Sequence, residues 1–290
     1  MTANELEDYF QYHNSNMKLL KIGLNEIRNQ IKTLHERKSS NGNFIYKLEE
    51  NNLNLKQTQS IEKALSRTIS GIQVSYAEES IKRLFYEKNL FNDTQRNFLF
   101  DKSALDQKWH FALKFVFSIA YDLVPSSDPT CTTVNIQLER NNLGDEIVDK
   151  YFELKSIINN FLVPNFQIRN KVQHGEWEYA FKPPKSDLFS QPYTDRINHE
   201  NIITSTSRFT LVECFYNMIV DLGRFKSNSF AIDSMLTPFE YFYDRNIQKI
   251  NFEKQKILNP DLNSFIQERI DKIIRGQEHR LSNKTTHNNE

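Results

Sequence analysis

Residues 169–177, RNKVQHGEW, bring together side chains that can act on a phosphate group. His174 can exchange protons near neutral pH, and Arg169 can stabilise phosphate charge through its fork of donors. On a helix, Asn170 and His174 are i, i+4 neighbours, and Arg169 is rotated by about 140° from His174. We expect the three side chains to converge on one cleft. These residue types suit metal-free cleavage of RNA.

Other common active-site patterns are missing from the sequence. The seven glycines lie far apart and none precedes a Lys-Ser or Lys-Thr pair, which excludes a P-loop. The two cysteines lack zinc spacing, no two histidines lie at i, i+4, and there is no G-x-S-x-G elbow. The sequence therefore predicts neither a metal site nor a cofactor.

The composition indicates that helices must position residues 169–177. Seven glycines and eight prolines in 290 residues are few, whereas 22 Phe and 12 Tyr are abundant. Strand turns and dinucleotide folds need glycine, so all-β and Rossmann-type folds lose support. Apolar residues recur three and four apart over 17–34 and again over 61–85, which predicts a long helical hairpin. We expect the two apolar seams of the hairpin to pack on each other. The alternative is a dimerising coiled coil, for which about three heptads is short.

The remaining segments predict further helices around a central one. Apolar residues nearly encircle 105–123, which is typical of a fully surrounded helix. Apolar residues at helical spacing over 147–161 predict another helix. We expect it to end at Pro164 and a new helix to begin near Phe166. Residues 178–207 show no sustained period and contain several prolines, which predicts a long surface loop.

The predicted architecture is all-α and divides into four parts. Residues 1–92 form an N-terminal helical hairpin, and residues 100–228 form a helical bundle with the inserted loop 178–207. Residues 229–275 form a C-terminal helical extension, in which Asn259-Pro260 is expected to start a helix as N-cap and first helical residue. Residues 276–290 read as a polar tail.

Charge and hydropathy restrict the partners of the chain. Basic and acidic residues number 37 each, which excludes binding of nucleic acid by overall charge. No apolar run approaches the roughly 18 residues of a membrane span, and the first ten residues lack the features of a secretory signal. With only Cys131 and Cys214, a disulfide framework is not expected. We expect a cytoplasmic protein with no membrane association.

Arg169, Asn170 and His174 resemble the R-x4-6-H motif of the HEPN superfamily, in which the arginine and histidine lie near the start of a helix. The His-Gly pair that follows is similar to a frequent family ending, and the resemblance covers roughly residues 105–225. It implies a HEPN-like helical bundle, with the N-terminal hairpin and the C-terminal helix as additions. It also implies a homodimeric ribonuclease whose two motifs meet across a two-fold axis and act without metal. Such proteins often serve as toxins or antiviral-defence effectors, with an antitoxin or defence-system partner.

The resemblance assigns catalytic roles to three residues. His174 is expected to act as general base on the ribose 2'-hydroxyl or as general acid on the leaving 5'-oxygen. Arg169 is expected to bind the scissile phosphate, and Asn170 to hydrogen-bond it or hold its partners. The products would carry a 2',3'-cyclic phosphate.

Five neighbouring residues are candidates for supporting roles. Contacts to RNA phosphates are predicted for Lys171, Lys182 and Lys185. Glu176 either orients His174 or forms an outward ion pair, and Trp177 is an anchor in the core or an interface, with base stacking as the alternative.

Competing interpretations remain open because the motif is short. Two further matches occur, Arg28/His35 on the outer edge of the hairpin, where we expect solvent, and Arg280/His287 in the tail. The alternative interpretation of Arg169 and His174 is a surface pair near a helix end, where the helix dipole favours a cation. The alternative function is a catalytically inactive HEPN-like module that binds a protein or RNA partner.

Overall fold

The computed structural model describes residues 1–35, 52–182 and 188–265, together with 267–268, 271 and 275–276. These residues are predominantly helical, with an isolated antiparallel bridge between Phe181 and Phe189, so the all-α prediction is confirmed. In chain order the α-helices are α1 (Ala3–His35), α2 (Asn52–Phe85), α3 (Asp93–Phe100), α4 (Leu105–Ala120), α5 (Arg140–Leu143), α6 (Asp145–Ile157), α7 (Val163–Gln173), α8 (Gln191–His199), α9 (Ile202–Arg224), α10 (Ser229–Asp233) and α11 (Pro238–Leu258).

Helices α1 and α2 pack along each other, but the buried side of α2 differs in part from the predicted seam, since Thr68 is exposed and Ile69 is buried. Leu24 and Ile31 of α1 are fully buried, as are Ile69 and Ile81 of α2. Helix α2 also contacts α4, α7 and α9, and buried side chains from these helices, including Phe166 of α7, belong to one hydrophobic cluster. The hairpin therefore shares its core with the helices that carry the candidate motif.

Helix α4 is buried almost all round, as its apolar pattern predicts. Trp109, Phe115 and Phe117 have no exposed surface. The Phe117 ring lies 4.8 Å from Tyr151 of α6 and 5.9 Å from Phe239 of α11, measured between centroids. Helix α4 also packs against α9, which lies in turn against α2 and α11.

The expected break at Pro164 is wrong. Helix α6 continues through a π-helical segment, Ile158–Leu162, directly into α7, and Pro164 lies in the first turn of α7. The Val163 N–H donates to the Ile158 carbonyl, five residues back. Proline disrupts a helix because it lacks an N–H and its ring meets the carbonyl four residues earlier. The wider π turn gives the ring room, so the helix passes through with a local distortion.

The expected loop over 178–207 is also wrong for much of its length. It contains α8 and the first residues of α9, while residues 183–187 lie outside the described part of the chain. Pro192 lies in the first turn of α8, where proline is tolerated. Thr194 and Ile197 are the buried residues of this nine-residue helix, too few to produce a recognisable period. Asn201 then caps α9 by accepting from the Ile203 and Thr204 N–H groups.

The C-terminal extension contains a helix that the sequence did not predict, α11, ahead of the one expected after Asn259. Helix α11 starts with a capping box in which Thr237 accepts from the Glu240 N–H and the Glu240 carboxylate accepts from the Thr237 N–H. Asn259 is the C-cap of this helix, so its expected role as an N-cap is wrong. Helical residues resume at 262–265, where the Asp261 carboxylate accepts from the Ser264 N–H at 2.9 Å. The predicted tail beyond residue 276 lies outside the described residues.

Candidate functional site

Helix α7 carries the candidate motif at its C-terminal end. It packs against α2 and α8, and Phe166, Ile168 and Val172 bury its inner side. Arg169 lies in the last two turns, and His174 is the C-cap. The expectation of a motif near the start of a helix is therefore wrong, because the π segment joins α6 to α7 and leaves no new helix start before Arg169.

Gly175 ends the helix in a specific way. Its backbone has a φ of +82°, in the left-handed region that favours glycine. The Gly175 N–H donates to the Val172 carbonyl at 3.1 Å, and the Glu176 N–H donates to the Lys171 carbonyl at 3.0 Å. These two bonds form a Schellman motif. The His-Gly pair thus has a structural explanation as a helix C-cap that is independent of catalysis.

The motif side chains reach the surface to different extents. Arg169 is half-buried, and its Nη1 donates to Asn170 Oδ1 at 3.1 Å. Its Nε is buried and lacks a hydrogen-bond partner within the described ranges. Asn170 and His174 are exposed, and no hydrogen bond between described residues joins the His174 imidazole to either of the other two side chains. One chain therefore supplies a tethered guanidinium and a free-standing imidazole rather than a preassembled pair.

Lys171 and Glu176 hold the loop that follows the motif. Lys171 Nζ lies 3.1 Å from the Glu176 carboxylate, and it also donates to the Phe181 carbonyl. The Phe181 N–H donates to Glu176 Oε2 at 2.7 Å. Both side chains are largely buried, so this ion pair is better shielded from solvent than a surface pair. Glu176 forms an ion pair, but with the neighbouring Lys171 and largely buried, not outward as expected. Lys171, expected at an RNA phosphate, is engaged in this loop.

An exposed apolar patch follows the motif in the chain. The Trp177 side chain is 41% exposed, which excludes the core as its location, and Tyr179, Leu188 and Phe189 are also exposed. The bridge between Phe181 and Phe189 brings the two arms of this loop together. Sequence reasoning singled out Trp177 alone, although the alternation of aromatic residues at 177, 179 and 181 was available as a signal. Of the other predicted phosphate contacts, Lys182 is exposed and Lys185 lies outside the described residues.

A buried polar layer fixes α8 beside the motif loop. Arg67 of α2 is only 2% exposed, and its Nη2 donates to Asn198 Oδ1 at 2.9 Å. Asn198 Nδ2 donates in turn to the Glu178 carbonyl at 3.2 Å. Arg208 Nε donates to Glu200 Oε1 at 2.9 Å, and both side chains are buried. Burial lowers the pKa of Arg67, while the nearby Glu178 and Glu200 act in the opposite direction.

Of the other two matches to the R-x4-6-H spacing, only the arginine of the first, Arg28, has a described side chain. Arg28 is half-buried and its Nη2 donates to the Thr206 carbonyl at 3.2 Å, so its expected place on a solvated edge is wrong. The His35 side chain and the pair Arg280/His287 fall outside what the structure describes. Arg28 reaches Thr206 because α1 lies against the start of α9, a contact that the spacing within α1 does not reveal.

Three comparisons bear on the identity of the chain. A scan of protein-family models, a search of curated proteins and a search of solved structures each found no match. Among the described residues, no group of three or more His, Cys, Asp or Glu is arranged to hold a metal ion, and no helix is long and apolar enough to cross a bilayer.

Proposed function

We propose that this chain is a metal-independent endoribonuclease of the HEPN type that acts as a homodimer with a composite Arg/His site. The observation that carries the proposal is the arrangement at the end of α7. There Asn170 and His174 are exposed and Arg169 is tethered to Asn170, while buried side chains and the Lys171–Glu176 ion pair fix the surrounding backbone. A fixed helix end with an exposed imidazole and a held guanidinium suits transfer of a proton beside a phosphate.

The proposed reaction uses the ribose of the RNA as the nucleophile. The 2'-oxygen attacks the adjacent phosphorus, and the bond to the 5'-oxygen of the next nucleotide breaks. His174 of one copy accepts the 2'-hydroxyl proton, and His174 of the other copy donates a proton to the leaving 5'-oxygen. Arg169 stabilises the charge on the phosphate oxygens, and Asn170 positions that guanidinium. The products are a 2',3'-cyclic phosphate and a 5'-hydroxyl.

The proposed reaction uses two imidazoles, one from each copy of the chain. A single chain presents one imidazole, which has no hydrogen bond to Arg169 within the described residues. The exposed Trp177, Tyr179 and Phe189 follow the motif and supply apolar surface for contact between copies. The resemblance extends the proposal to a toxin or antiviral-defence effector, which a dedicated antitoxin or defence-system partner would restrain.

The proposal is tested by cleavage of end-labelled RNA by the full-length protein, with and without EDTA. We expect cleavage that survives EDTA and leaves cyclic-phosphate ends. His174→Asn should lower the rate by about 100-fold or more, since general acid–base catalysis contributes on that order. Arg169→Lys should also be strongly impaired, because lysine keeps the charge and loses the bidentate fork. The matched control is Gln173→Ala, an exposed neighbour on the same helix end, which should cleave normally.

Two outcomes would reject the proposal. One is cleavage that is unchanged in His174→Asn, and the other is no cleavage by a folded wild-type dimer on any RNA offered. Retention of RNA or partner binding in the second case would favour the alternative, an inactive HEPN-like binding module. The dimer itself is tested by the specific activity, which should rise with protein concentration in parallel with the dimer fraction measured by analytical ultracentrifugation.

A further inference from the structure

The outer face of α1 carries apolar side chains that the described helices leave uncovered. Tyr12, Leu19 and Ile22 are 61%, 68% and 65% exposed. They follow each other at spacings of seven and three residues and so share one face of the helix. This face points away from the seam formed by Met17 and Leu24, which are buried. Exposed apolar groups that lie together in this way mark a surface that binds another molecule.

A groove between α1 and α2 borders this face and has a volume of about 460 Å³. Leu19 and Gly23 line it from α1, and Ile72 and Ser75 line it from α2. A side chain added at Gly23 would meet no described atom within 4 Å, so packing within the chain does not require glycine there. Glycine in a helix interior is destabilising relative to alanine, and its use is to let another group approach the backbone closely. Gly23 therefore gives a neighbour from outside the chain a place to enter.

Two charged side chains of the same face are available to a second molecule. Lys18 and Glu26 are exposed, and neither has a hydrogen bond or an ion pair within the described ranges. Each lies four residues from Ile22, on opposite sides of it along the helix, at a rise of about 6 Å. Ile22 therefore lies midway between a positive and a negative charge.

This arrangement of charge and shape is complementary to itself. When two copies of α1 cross antiparallel with Ile22 on the two-fold axis, Lys18 of each copy faces Glu26 of the other. The Leu19 side chain then lies beside Gly23 of the other copy, so that a large side chain meets a position that has none. Self-complementarity of one patch is the requirement for a two-fold contact between identical chains.

We propose that the outer face of α1 binds the same face of a second copy of the chain, in an antiparallel two-fold contact centred on Ile22. The contact goes beyond the proposed ribonuclease, because none of its residues lies at the end of α7 and its axis differs from the one that would join two motifs. Two different two-fold contacts on one chain build an assembly larger than a dimer.

Disulfide trapping in the full-length protein tests the contact. Ile22→Cys should form an intermolecular disulfide under mild oxidation, because a residue on the axis lies next to its own counterpart. The control is Thr33→Cys, exposed on α1 eleven residues further on, whose two copies would lie about 33 Å apart. It should be trapped at least about tenfold more slowly. Cys131 and Cys214 are buried, so they do not compete for the oxidant.

Charge reversal tests the register of the contact. In Ile22→Cys protein, Lys18→Glu and Glu26→Lys should each slow trapping by about fivefold or more, because each change creates two like-charge contacts across the axis. The double change Lys18→Glu/Glu26→Lys should restore the rate to within about twofold of Ile22→Cys alone. Both positions are exposed and unpaired among the described residues, so the fold does not depend on them.

Two further variants separate this face from the motif. His174→Asn and Trp177→Ser should leave the trapping of Ile22→Cys unchanged, so a failure of the ribonuclease proposal leaves this one standing. The proposal is overturned if Ile22→Cys is trapped no faster than Thr33→Cys, since something other than a second copy would then cover the face. It is also overturned if the double charge reversal is trapped as slowly as the single ones.

Discussion

The interior around α4 and the interior beneath α8 are both buried, yet they consist of different kinds of side chain. Around α4, Trp109 and Phe115 are packed among other rings without exposed surface. Beneath α8, buried Arg67 donates a hydrogen bond to Asn198, and buried Arg208 forms an ion pair with buried Glu200. The α4 interior depends on filled volume, whereas the α8 interior depends on each charged group keeping its partner.

This difference bears on the candidate site because the polar interior borders it. Asn198 bonds both Arg67 and the Glu178 carbonyl. Two residues before Glu178, the Glu176 carboxylate pairs with Lys171. The loop that follows His174 is thus held by directional contacts, each of which needs a particular residue. The interior around α4 tolerates the replacement of one apolar side chain by another of similar volume more readily, because its contacts are nondirectional.

The largest effect is expected from truncation in the apolar interior. Phe115→Ala should lower the free energy of unfolding by about 4 kcal/mol, because it removes buried surface and leaves a cavity between rings that now lie 5.7–6.2 Å from Phe115. Urea unfolding followed by circular dichroism measures this change. Leu138→Ala, at a position 73% exposed, is the control and should stay within about 0.5 kcal/mol of the wild type. Equal losses in the two variants would contradict the contrast between the regions.

A smaller but distinctive effect is expected in the polar interior. Arg208→Met should cost about 3 kcal/mol, because it leaves the buried Glu200 carboxylate without its cation and removes a donor to the Phe161 carbonyl. The same urea experiment measures this loss.

The double variant Arg208→Met/Glu200→Leu is the informative comparison. Removing both charges takes away the unpaired carboxylate, so the double variant should be more stable than Arg208→Met alone. If the losses of unfolding free energy from the two single changes simply add, the Arg208–Glu200 pair has no coupling energy. The polar interior would then behave like the apolar one.

The same contrast explains which helices could be predicted from the sequence and which could not. Helices α1, α2 and α4 follow from apolar periodicity, because their burial is set by a long run of similar contacts. Helix α8 could not be found this way, since polar bonds and only two buried side chains hold it. Pro164 predicted a break because its neighbours in the chain do not reveal that the preceding turn is π-helical.

The candidate site shows a similar division between local and distant information. The spacing of Arg169, Asn170 and His174 predicted three positions close together on one helix, although the resemblance put them near its start and not at its C-terminal end. The Asn170–Arg169 hydrogen bond is a local contact. The partners of Lys171 and the contact of Arg28 with the Thr206 carbonyl depend on the packing of distant segments. Contacts between residues far apart in the chain have no signal in local residue spacing.

The smallest effect is expected at the edge of the apolar interior, where a carboxylate anchors the chain after α4. Asp128 accepts from the Thr130 hydroxyl and from the Thr133 N–H, and these bonds hold the pKa of Asp128 well below its ordinary value. The anchored turn leads into Cys131, whose side chain is buried. A group with a lowered folded-state pKa stabilises the fold above the unfolded value, near pH 4, and that stabilisation is lost as the pH falls toward the folded value.

Asp128→Asn should therefore destabilise the protein at pH 7 by less than either change above, because amide oxygen is a weaker acceptor than carboxylate. The difference from the wild type should shrink as the pH falls from 5 to about 3, because Asp128 becomes protonated in the unfolded chain while it stays ionised in the folded one, and this proton uptake favours unfolding of the wild type. Urea midpoints at each pH measure this, with the exposed Asp8→Asn as the control. A gap that stays constant with pH would mean that the charge of Asp128 contributes nothing, and that the α4 region is held by packed volume up to its edge.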